Sequence, residues 1–160
     1  MPNRIMSPSP PLMLVVEDSD EDFLSLRRFF KELDVDCEIA RVCDGEEALD
    51  YLYKQGDYEN APKTVYPTVI LMDLNLPGTD GKEVIKIVKQ NETLKTIPIV
   101  VFTTSSRPND IETCYQYGAN SYLLKPMGLA QLKETISVFC DYWLKLVISP
   151  ASARYLNLHD

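Results

Sequence analysis

Short apolar runs recur along the chain, and each is followed by a stretch of residues with helical spacing. Runs of about four to eight apolar residues bounded by turn signals are typical of strands buried in a sheet. The run at 37–42 alternates between apolar and polar residues, which predicts a more exposed strand. Five strands are predicted in all, over 12–16, 37–42, 68–72, 98–103 and 119–124.

Capping and breaking residues mark the helix boundaries between these strands. Ser19 and Asp22 form a candidate capping box for the first helix. Asp44 is a candidate N-cap for the second helix, which is predicted to end at Gly56. Five β/α units of this kind predict an α/β fold, with a doubly wound parallel sheet and helices on both faces. The remaining helices are predicted over 82–90, 108–118 and 129–146.

The length of 160 residues predicts one domain, which we place at 12–148. Residues 1–11 hold four prolines and little that could fold, so they are predicted to form a flexible arm. Pro150 is predicted to close the ordered part and to leave 149–160 as a weakly structured tail. The connection at 54–67 is long enough to suggest a functional or mobile loop.

The formal net charge of −8 argues against a basic surface for nucleic acid or anionic membranes. No apolar run approaches the length of a membrane span, and the N-terminus lacks the pattern of a secretory signal. The four cysteines form no C-x-x-C pair, and with a single histidine they make no zinc set. These features predict a cytoplasmic protein with reduced thiols.

Polar residues of distinct chemistry follow four of the five predicted strands. Taken alone, an Asp after a strand is usually a turn former, and a Lys is usually a surface residue. Because the carboxyl ends of parallel strands lie at one edge of the sheet, these side chains are expected to converge on one pocket. They are Glu17 and Asp18 after the first strand, Asp73 after the third, Thr103 at the end of the fourth and Lys125 after the fifth.

Three carboxylates in one pocket require a cation to remain ionised together. Oxygen ligands without Cys or His favour Mg²⁺ over Zn²⁺. Mg²⁺ usually takes one or two carboxylates, which leaves Asp73 as a candidate nucleophile. A phosphoryl group on Asp73 would add negative charge that Mg²⁺ and Lys125 can offset, and the Thr103 hydroxyl can donate a hydrogen bond to it.

With these residues in place, the chain resembles the receiver domain of two-component response regulators over 12–146. The resemblance implies a flavodoxin-like receiver fold with sheet order 2-1-3-4-5. The motifs that carry it are Val-Val-Glu17-Asp18, Met-Asp73-Leu-Asn-Leu-Pro77-Gly-x-Asp-Gly81, Val-Phe-Thr103 and Tyr122-Leu-Leu-Lys125-Pro126.

The resemblance implies that Asp73 accepts a phosphoryl group from a histidine kinase in a phosphorelay. The chain would otherwise not be an enzyme, because the only reactions it would catalyse are its own phosphorylation and dephosphorylation. The Mg²⁺ ligands implied by the resemblance are Glu17, Asp18, Asp73 and the backbone carbonyl of Asn75.

The resemblance also implies a switch. Lys125 would pair with the phosphoryl group, Thr103 would move toward it, and Tyr122 would turn inward. Asn75 and Ser105 occupy the two positions that tune self-dephosphorylation in this family. The resemblance implies a cis Lys125–Pro126 bond, and cis peptide bonds are essentially confined to X-Pro.

Three subgroup features resemble the stand-alone regulators of phytochrome-type kinases in cyanobacteria. They are the Leu-Asn-Leu sequence at 74–76, the long 54–67 connection and the long C-terminal helix. No room remains after residue 150 for an output domain, so a signal is expected to leave through the face formed by helix 4, strand 5 and helix 5. A symmetric homodimer is also expected, with Tyr142, Trp143 and Val147 as candidates for its interface.

Three alternatives stay open at this point. A phosphatase of the haloacid-dehalogenase type requires a second Asp two residues after the nucleophile, where this chain has Asn75. A flavin or dinucleotide module requires a glycine- or hydroxyl-rich loop after strand 1, where the acidic run at 17–22 would repel phosphate. A receiver-like protein that works without phosphorylation ranks last, because no residue of the site is missing.

Overall fold

A parallel sheet of five strands organises the protein. The computed structural model describes residues 10–62 and 65–156, with side chains placed as far as residue 153. The strand order is β2-β1-β3-β4-β5, and every neighbouring pair is parallel, which confirms the predicted topology. The strands are β1 Leu12–Val16, β2 Glu38–Val42, β3 Val69–Met72, β4 Ile99–Thr103 and β5 Ser121–Leu124.

Helices cover both faces of the sheet, as the alternation of strands and helices predicted. α1 and α5 pack together on one face, while α2, α3 and α4 share the other face. No helix in the described part of the chain is long and apolar enough to cross a membrane. The helices are α1 Asp20–Glu32, α2 Gly45–Tyr53, α3 Gly81–Gln90, α4 Pro108–Gln116, α5 Leu129–Phe139 and α6 Pro150–Leu156.

The core lies in two layers because successive strand residues point to opposite faces of the sheet. In β1, Met13 and Val15 belong to the layer beneath α1 and α5, whereas Leu14 and Val16 belong to the layer beneath α2, α3 and α4. The four side chains are at most 2% exposed. β1 and β3 therefore form the buried centre of the sheet, and they fix the positions of the polar residues that follow them.

The second helix ends earlier than predicted. Its C-cap is Lys54, which adopts the left-handed conformation with φ 57°. The backbone N–H of Gln55 then donates to the carbonyl oxygen of Asp50, which closes the turn. Gly56 instead begins a short 3-10 turn, Gly56–Tyr58, so its positive φ serves the connection and not the helix end.

The predicted fifth helix is two segments. Regular α-helix ends at Phe139, and a π-helix continues over Cys140–Leu146. The Val147 N–H donates to the carbonyl oxygen of Tyr142 five residues earlier, as the wider π turn requires. This wider turn leaves Trp143 packed against the core while Tyr142 is exposed.

A helix replaces the weakly structured segment predicted after Pro150. Pro150 begins α6 because the first helical position needs no backbone N–H. The Ser149 side chain is buried and accepts a hydrogen bond from the Ser152 N–H at 3.1 Å. Residues 157–160 of the predicted tail and residues 1–9 of the predicted arm lie outside the described residues.

Candidate functional site

Two buried carboxylates lie at the C-terminal edge of the sheet. Glu17 follows β1 and is 5% exposed, and Asp73 follows β3 and is 6% exposed. The Glu17 N–H donates to the Val42 carbonyl oxygen, and the Asp73 N–H donates to the Val16 carbonyl oxygen, both at 3.0 Å. These backbone bonds continue the sheet by one residue, so both carboxylates are fixed at the edge that the sequence predicted.

Lys125 is the cation at the centre of this edge. Its ammonium binds Glu17 at 2.7 Å, Asp73 at 2.8 Å and Asp22 at 2.9 Å. The side chain is only 10% exposed, and the Lys125 N–H donates to the Thr103 carbonyl oxygen at 2.8 Å. Side chains that follow strands 1, 3 and 5 therefore meet at one point, and the backbone bond to Thr103 places the end of strand 4 beside Lys125.

Asp22 belongs to this cluster, although the sequence suggested only a capping role for it. The Ser19 hydroxyl accepts the Asp22 N–H at 3.2 Å, which is half of the predicted capping box. In the other half, the Ser19 N–H donates to the Glu17 carboxylate at 3.1 Å and not to Asp22. The Asp22 carboxylate is therefore free to bind Lys125.

The structure brings three carboxylates close enough to share a metal ion. One oxygen from each of Glu17, Asp22 and Asp73 lies within 4.8 Å of the others. Asp18 is exposed and is not part of this group, so its predicted ligand role stays a prediction. Three carboxylates against one ammonium leave an excess of negative charge, and an all-oxygen set of this kind suits a hard dication such as Mg²⁺.

The electrostatics of the cluster follow from burial and from Lys125. Burial raises the pKa of the Glu17 carboxyl to about 7, against the opposing hydrogen bond and charge of Lys125. Burial acts the same way on Asp73, but Lys125 and the Asn75 N–H outweigh it and hold the pKa of Asp73 below its usual value. Burial works against a charged Lys125, but its three carboxylate partners raise the pKa of its ammonium.

The predicted tuning residue Asn75 contacts Asp73 through its backbone. The Asn75 N–H donates to the second oxygen of the Asp73 carboxylate at 3.2 Å. Its side chain is exposed, and the proposed use of its carbonyl as a metal ligand stays a prediction. Both oxygens of the Asp73 carboxylate are thus held, one by Asn75 and one by Lys125.

The predicted switch residues are joined through Ser105. Thr103 is fully buried, and its hydroxyl lies 3.5 Å from the Ser105 backbone nitrogen. The Tyr122 hydroxyl donates to the Ser105 carbonyl oxygen at 2.8 Å, and the ring packs against the core beneath α2, α3 and α4. Tyr122 is therefore turned inward in this structure.

A buried carboxylate outside the predicted set anchors the same loop. Asp110, in the first turn of α4, accepts the Ser105 hydroxyl at 2.6 Å, the Lys82 ammonium at 3.0 Å and the Arg107 guanidinium at 2.9 Å. Asp110 is 4% exposed. We call Lys82, Ser105, Arg107 and Asp110 the loop clamp. Periodicity did not indicate it, because Asp110 reads as an ordinary first-turn acid.

The loop clamp is expected to make stability depend on acid. The Ser105 hydrogen bond and then Lys82 lower the pKa of Asp110 from 3.8 to about 2. The clamp therefore stabilises the fold above about pH 4, and this stabilisation is lost as the pH falls toward 2. The free energy of unfolding measured with urea across this interval should have a smaller pH slope in Asp110→Asn than in the wild type. The same change at exposed Asp57 should retain the slope, and a retained slope in Asp110→Asn would contradict the assignment.

A cavity of about 150 Å³ adjoins the carboxylate cluster. Its polar end is formed by Glu17, Asp22, Asp73 and Lys125, and its apolar wall comes mainly from α1, α5 and the central strands. Met127 also lines the cavity and is fully exposed. The Asp73 carboxylate therefore borders a space that a small group could enter.

The predicted cis bond is wrong. The Lys125–Pro126 peptide bond is trans, like every other peptide bond in the described part of the chain. An X-Pro bond favours trans by about 0.5–1 kcal/mol unless the surroundings select cis. Lys125 reaches all three carboxylates with the trans bond.

Fold and site together define a response regulator receiver domain, and the chain belongs to that family. The family profile matches residues 13–137, which contain every residue of the carboxylate cluster. This membership favours the receiver interpretation over the phosphatase and flavin alternatives. Family members are phosphoacceptor proteins of two-component systems.

Among individual proteins, the chain is similar to the response regulator Rcp1 of Synechocystis. The two are 40% identical over 143 residues, which cover 89% of this chain and 95% of Rcp1. A crystal structure of the Mn²⁺-bound form of Rcp1 covers 88% of this chain and 99% of its own chain, with a TM-score of 0.81. The phosphorylated cyanobacterial phytochrome response regulator RcpA is 36% identical with a TM-score of 0.82, over 88% of this chain and 99% of RcpA.

The chain also matches, over a similar length, a relative that is named for a different pathway. A probable methanogenesis regulatory protein, FilR2 of Methanothrix harundinacea, is 38% identical over 144 residues and matches 90% of each chain. These relatives therefore share the receiver family but are named for different pathways.

Proposed function

We propose that this protein accepts a phosphoryl group on Asp73 from a sensor histidine kinase, with Mg²⁺ as cofactor. The observation that carries the proposal is the buried Asp73 carboxylate, held by Lys125 at 2.8 Å beside two further carboxylates. A low pKa keeps Asp73 ionised, as a nucleophile must be. The surrounding carboxylates are the charges that a cofactor cation would compensate.

In the proposed reaction, an Asp73 oxygen attacks the phosphorus atom of the kinase phosphohistidine. The new O–P bond forms as the N–P bond breaks, and the imidazole leaves with the electron pair. Lys125 then donates a hydrogen bond to a phosphoryl oxygen, and the Thr103 hydroxyl donates another.

The chain offers a suitable set of oxygen ligands for Mg²⁺. Glu17 and Asp73 would hold the ion, with Asp18 and Asp22 on the adjacent loop and first turn and the carbonyl of Asn75 beside the acceptor. When bound, Mg²⁺ supplies positive charge for the phosphoryl oxygens. Rcp1 has been crystallised in a Mn²⁺-bound form, which supports a divalent cation here.

We place the protein downstream of a phytochrome-type kinase in the cytoplasm. The support is the similarity to RcpA, whose structure is that of a phosphorylated phytochrome response regulator. The four cysteines are free thiols, in keeping with a reducing compartment.

The decisive experiment is phosphorylation followed by mass mapping. The protein would be incubated with Mg²⁺ and acetyl phosphate, with a phytochrome-type kinase and ATP, or with an unrelated histidine kinase and ATP. We expect one phosphoryl group on the peptide that contains Asp73, formed fastest with the phytochrome-type kinase. Modification elsewhere would contradict the acceptor assignment, and equal rates with both kinases would contradict the phytochrome partner.

The signal would leave through α4, β5 and the helix that follows. Tyr122 lies in β5 and contacts the Ser105 carbonyl, so a shift of Thr103 toward a phosphoryl group would move the loop to which Tyr122 is bonded. A complete population shift from 1:99 to 99:1 requires about 5.5 kcal/mol of differential stabilisation by the phosphorylated site. A smaller difference would give a graded response.

The proposed homodimer would use the exposed side of α5 and the π-helix. Val138, Tyr142 and Leu146 are 62%, 49% and 72% exposed, and they form an apolar stripe at helical spacing. Of the sequence candidates, Tyr142 fits this surface best, because Trp143 packs partly into the core and Val147 is half-buried. A symmetric pair would bring two such stripes together.

A charge in the stripe is expected to dissociate the dimer. Val138→Glu would place a carboxylate in the proposed apolar contact, so the sedimentation coefficient should fall to that of a monomer. Leu24→Glu on α1 introduces the same charge at a residue that is 61% exposed, outside the stripe, and should leave association unchanged. Equal sedimentation of Val138→Glu and the wild type would argue against this interface.

A further inference from the structure

Arg41 connects β2 to the acidic run at 17–22, which we call the acidic loop, although the sequence showed no chemistry near the end of that strand. Its Nε donates to the Glu17 carbonyl oxygen at 3.0 Å, and its Nη1 binds the Asp20 carboxylate at 2.7 Å. The guanidinium carbon lies 4.7 Å from the centre of the Phe23 ring. One side chain therefore holds the backbone after β1, the first residue of α1 and the first turn of that helix.

The held segment is the one that carries two of the three clustered carboxylates. Glu17 and Asp22 lie at its two ends, and the three Arg41 contacts fall on Glu17, Asp20 and Phe23. The bond to Glu17 uses the backbone carbonyl and leaves the carboxylate to the cluster. Arg41 thus acts on the geometry of the site without occupying it.

The arrangement is specific to a guanidinium. Arg41 is 19% exposed in its side chain, whereas its partner Asp20 is 84% exposed, so the ion pair alone adds little stability. The Nη2 atom of Arg41 is buried and lacks a hydrogen-bond partner among the described residues. A lysine has one point charge and no planar fork, and it cannot reproduce the two divergent hydrogen bonds together with stacking on Phe23.

We infer that Arg41 is a positioning residue for the divalent cation site, an inference that rests on the proposed Mg²⁺ cofactor. Its three contacts set the distance between the Glu17 and Asp22 carboxylates and hence the affinity for the ion. Residues that orient metal ligands commonly change affinity by about 10–100-fold when they are replaced.

The sign of the effect separates positioning from simple electrostatics. Arg41→Met removes a positive charge near the carboxylates, and charge alone would then tighten Mg²⁺ binding. Loss of positioning would weaken binding instead. We expect the Mg²⁺ dissociation constant, measured by calorimetric titration of the full chain, to rise about 10-fold or more in Arg41→Met.

Arg28→Met is a matched control. Arg28 lies on α1, pairs with Glu32 and rests 4.9 Å from the Phe29 ring centre, but it touches no part of the acidic loop. Its removal changes the net charge equally and should leave Mg²⁺ affinity within a small factor of the wild type. An equal rise in both variants would overturn the inference.

Arg41→Lys keeps the charge and serves if Arg41→Met does not fold, as judged by circular dichroism. We expect its Mg²⁺ affinity to be clearly reduced, with phosphoryl uptake restored at saturating Mg²⁺. Wild-type affinity in a folded Arg41 variant would overturn the inference and leave the proposed function intact. Absence of phosphoryl uptake by the wild type would instead refute the proposed function, and absence of Mg²⁺ binding would refute both.

Discussion

Asp73→Asn is expected to abolish phosphoryl uptake from both acetyl phosphate and the cognate kinase. The amide has nearly the same shape as the carboxylate, and its single oxygen can still accept a hydrogen bond from either Lys125 or the Asn75 N–H, so the fold should be retained. It lacks the negative charge and nucleophilicity that attack on phosphorus requires. Incorporation of labelled phosphate, measured with excess Mg²⁺, should fall to background.

Asp80→Asn is the matched control for this experiment. Asp80 lies in the same β3–α3 connection, is exposed and caps α3 by accepting the Lys82 N–H at 2.9 Å. Asn is an equally good N-cap, so the helix should persist. Labelling of Asp80→Asn should match the wild type. Labelling of Asp73→Asn at the wild-type level would refute the acceptor assignment.

Lys125→Met is expected to lower the free energy of unfolding by about 3–5 kcal/mol when divalent cations are chelated at neutral pH. Methionine keeps most of the apolar stem but removes the ammonium, which leaves Glu17 and Asp73 buried together without a compensating charge. The loss should shrink at acidic pH, because protonation of a carboxyl relieves the repulsion. Urea unfolding with chelator provides the measurement.

Mg²⁺ should restore part of the stability of Lys125→Met by supplying the missing charge, although phosphoryl uptake should remain slow. Lys133→Met removes a lysine whose side chain is 42% exposed and pairs with Glu32 at 2.9 Å. This change should lower the free energy of unfolding by at most about 1 kcal/mol. A similar small loss in Lys125→Met would show that the buried cluster does not depend on the ammonium.

The strand ends were predictable because topology alone brings them together. Once five parallel strands are recognised, Glu17, Asp73, Thr103 and Lys125 must follow strands whose ends share one edge, whatever the details of packing. The structure confirms that Lys125 meets Glu17 and Asp73 there. Only the pattern of strands and the identity of the residues after them were required.

Asp22 and Arg41 were missed because their roles depend on side-chain direction. Asp22 occupies a helix position where a capping box is the simplest interpretation, and only the competing bond from Ser19 to Glu17 frees its carboxylate. Arg41 reads as a polar residue in an alternating strand, but its length lets it cross to the neighbouring loop. Neither direction can be obtained from spacing.

The C-terminal region was also only partly predictable. The apolar residues of 129–146 fit an α-helix, but Cys140–Leu146 is a π-helix in which Leu146 is exposed and Leu144 packs against the core. A proline can either end a helix or begin one, so Pro150 alone does not predict which occurs. The Ser149 side chain caps the following segment, and Pro150 therefore begins a helix. Local packing determines both the π-helix and the helix after Pro150, and the periodicity of apolar residues contains no information about it.

The ammonium of Lys125 has three hydrogens, and in this structure three carboxylates claim them. A phosphoryl group on Asp73 would bond to one oxygen of that carboxylate and move its negative charge to the phosphoryl oxygens, one of which can take the Lys125 hydrogen that Asp73 holds here. Asp22 is the most readily released, because its side chain is 47% exposed and water can replace the lost bond, whereas Glu17 is buried. The link between the end of β5 and the first turn of α1 therefore depends on the most exposed of the three bonds, and a second phosphoryl oxygen that bound Lys125 would free Asp22 first.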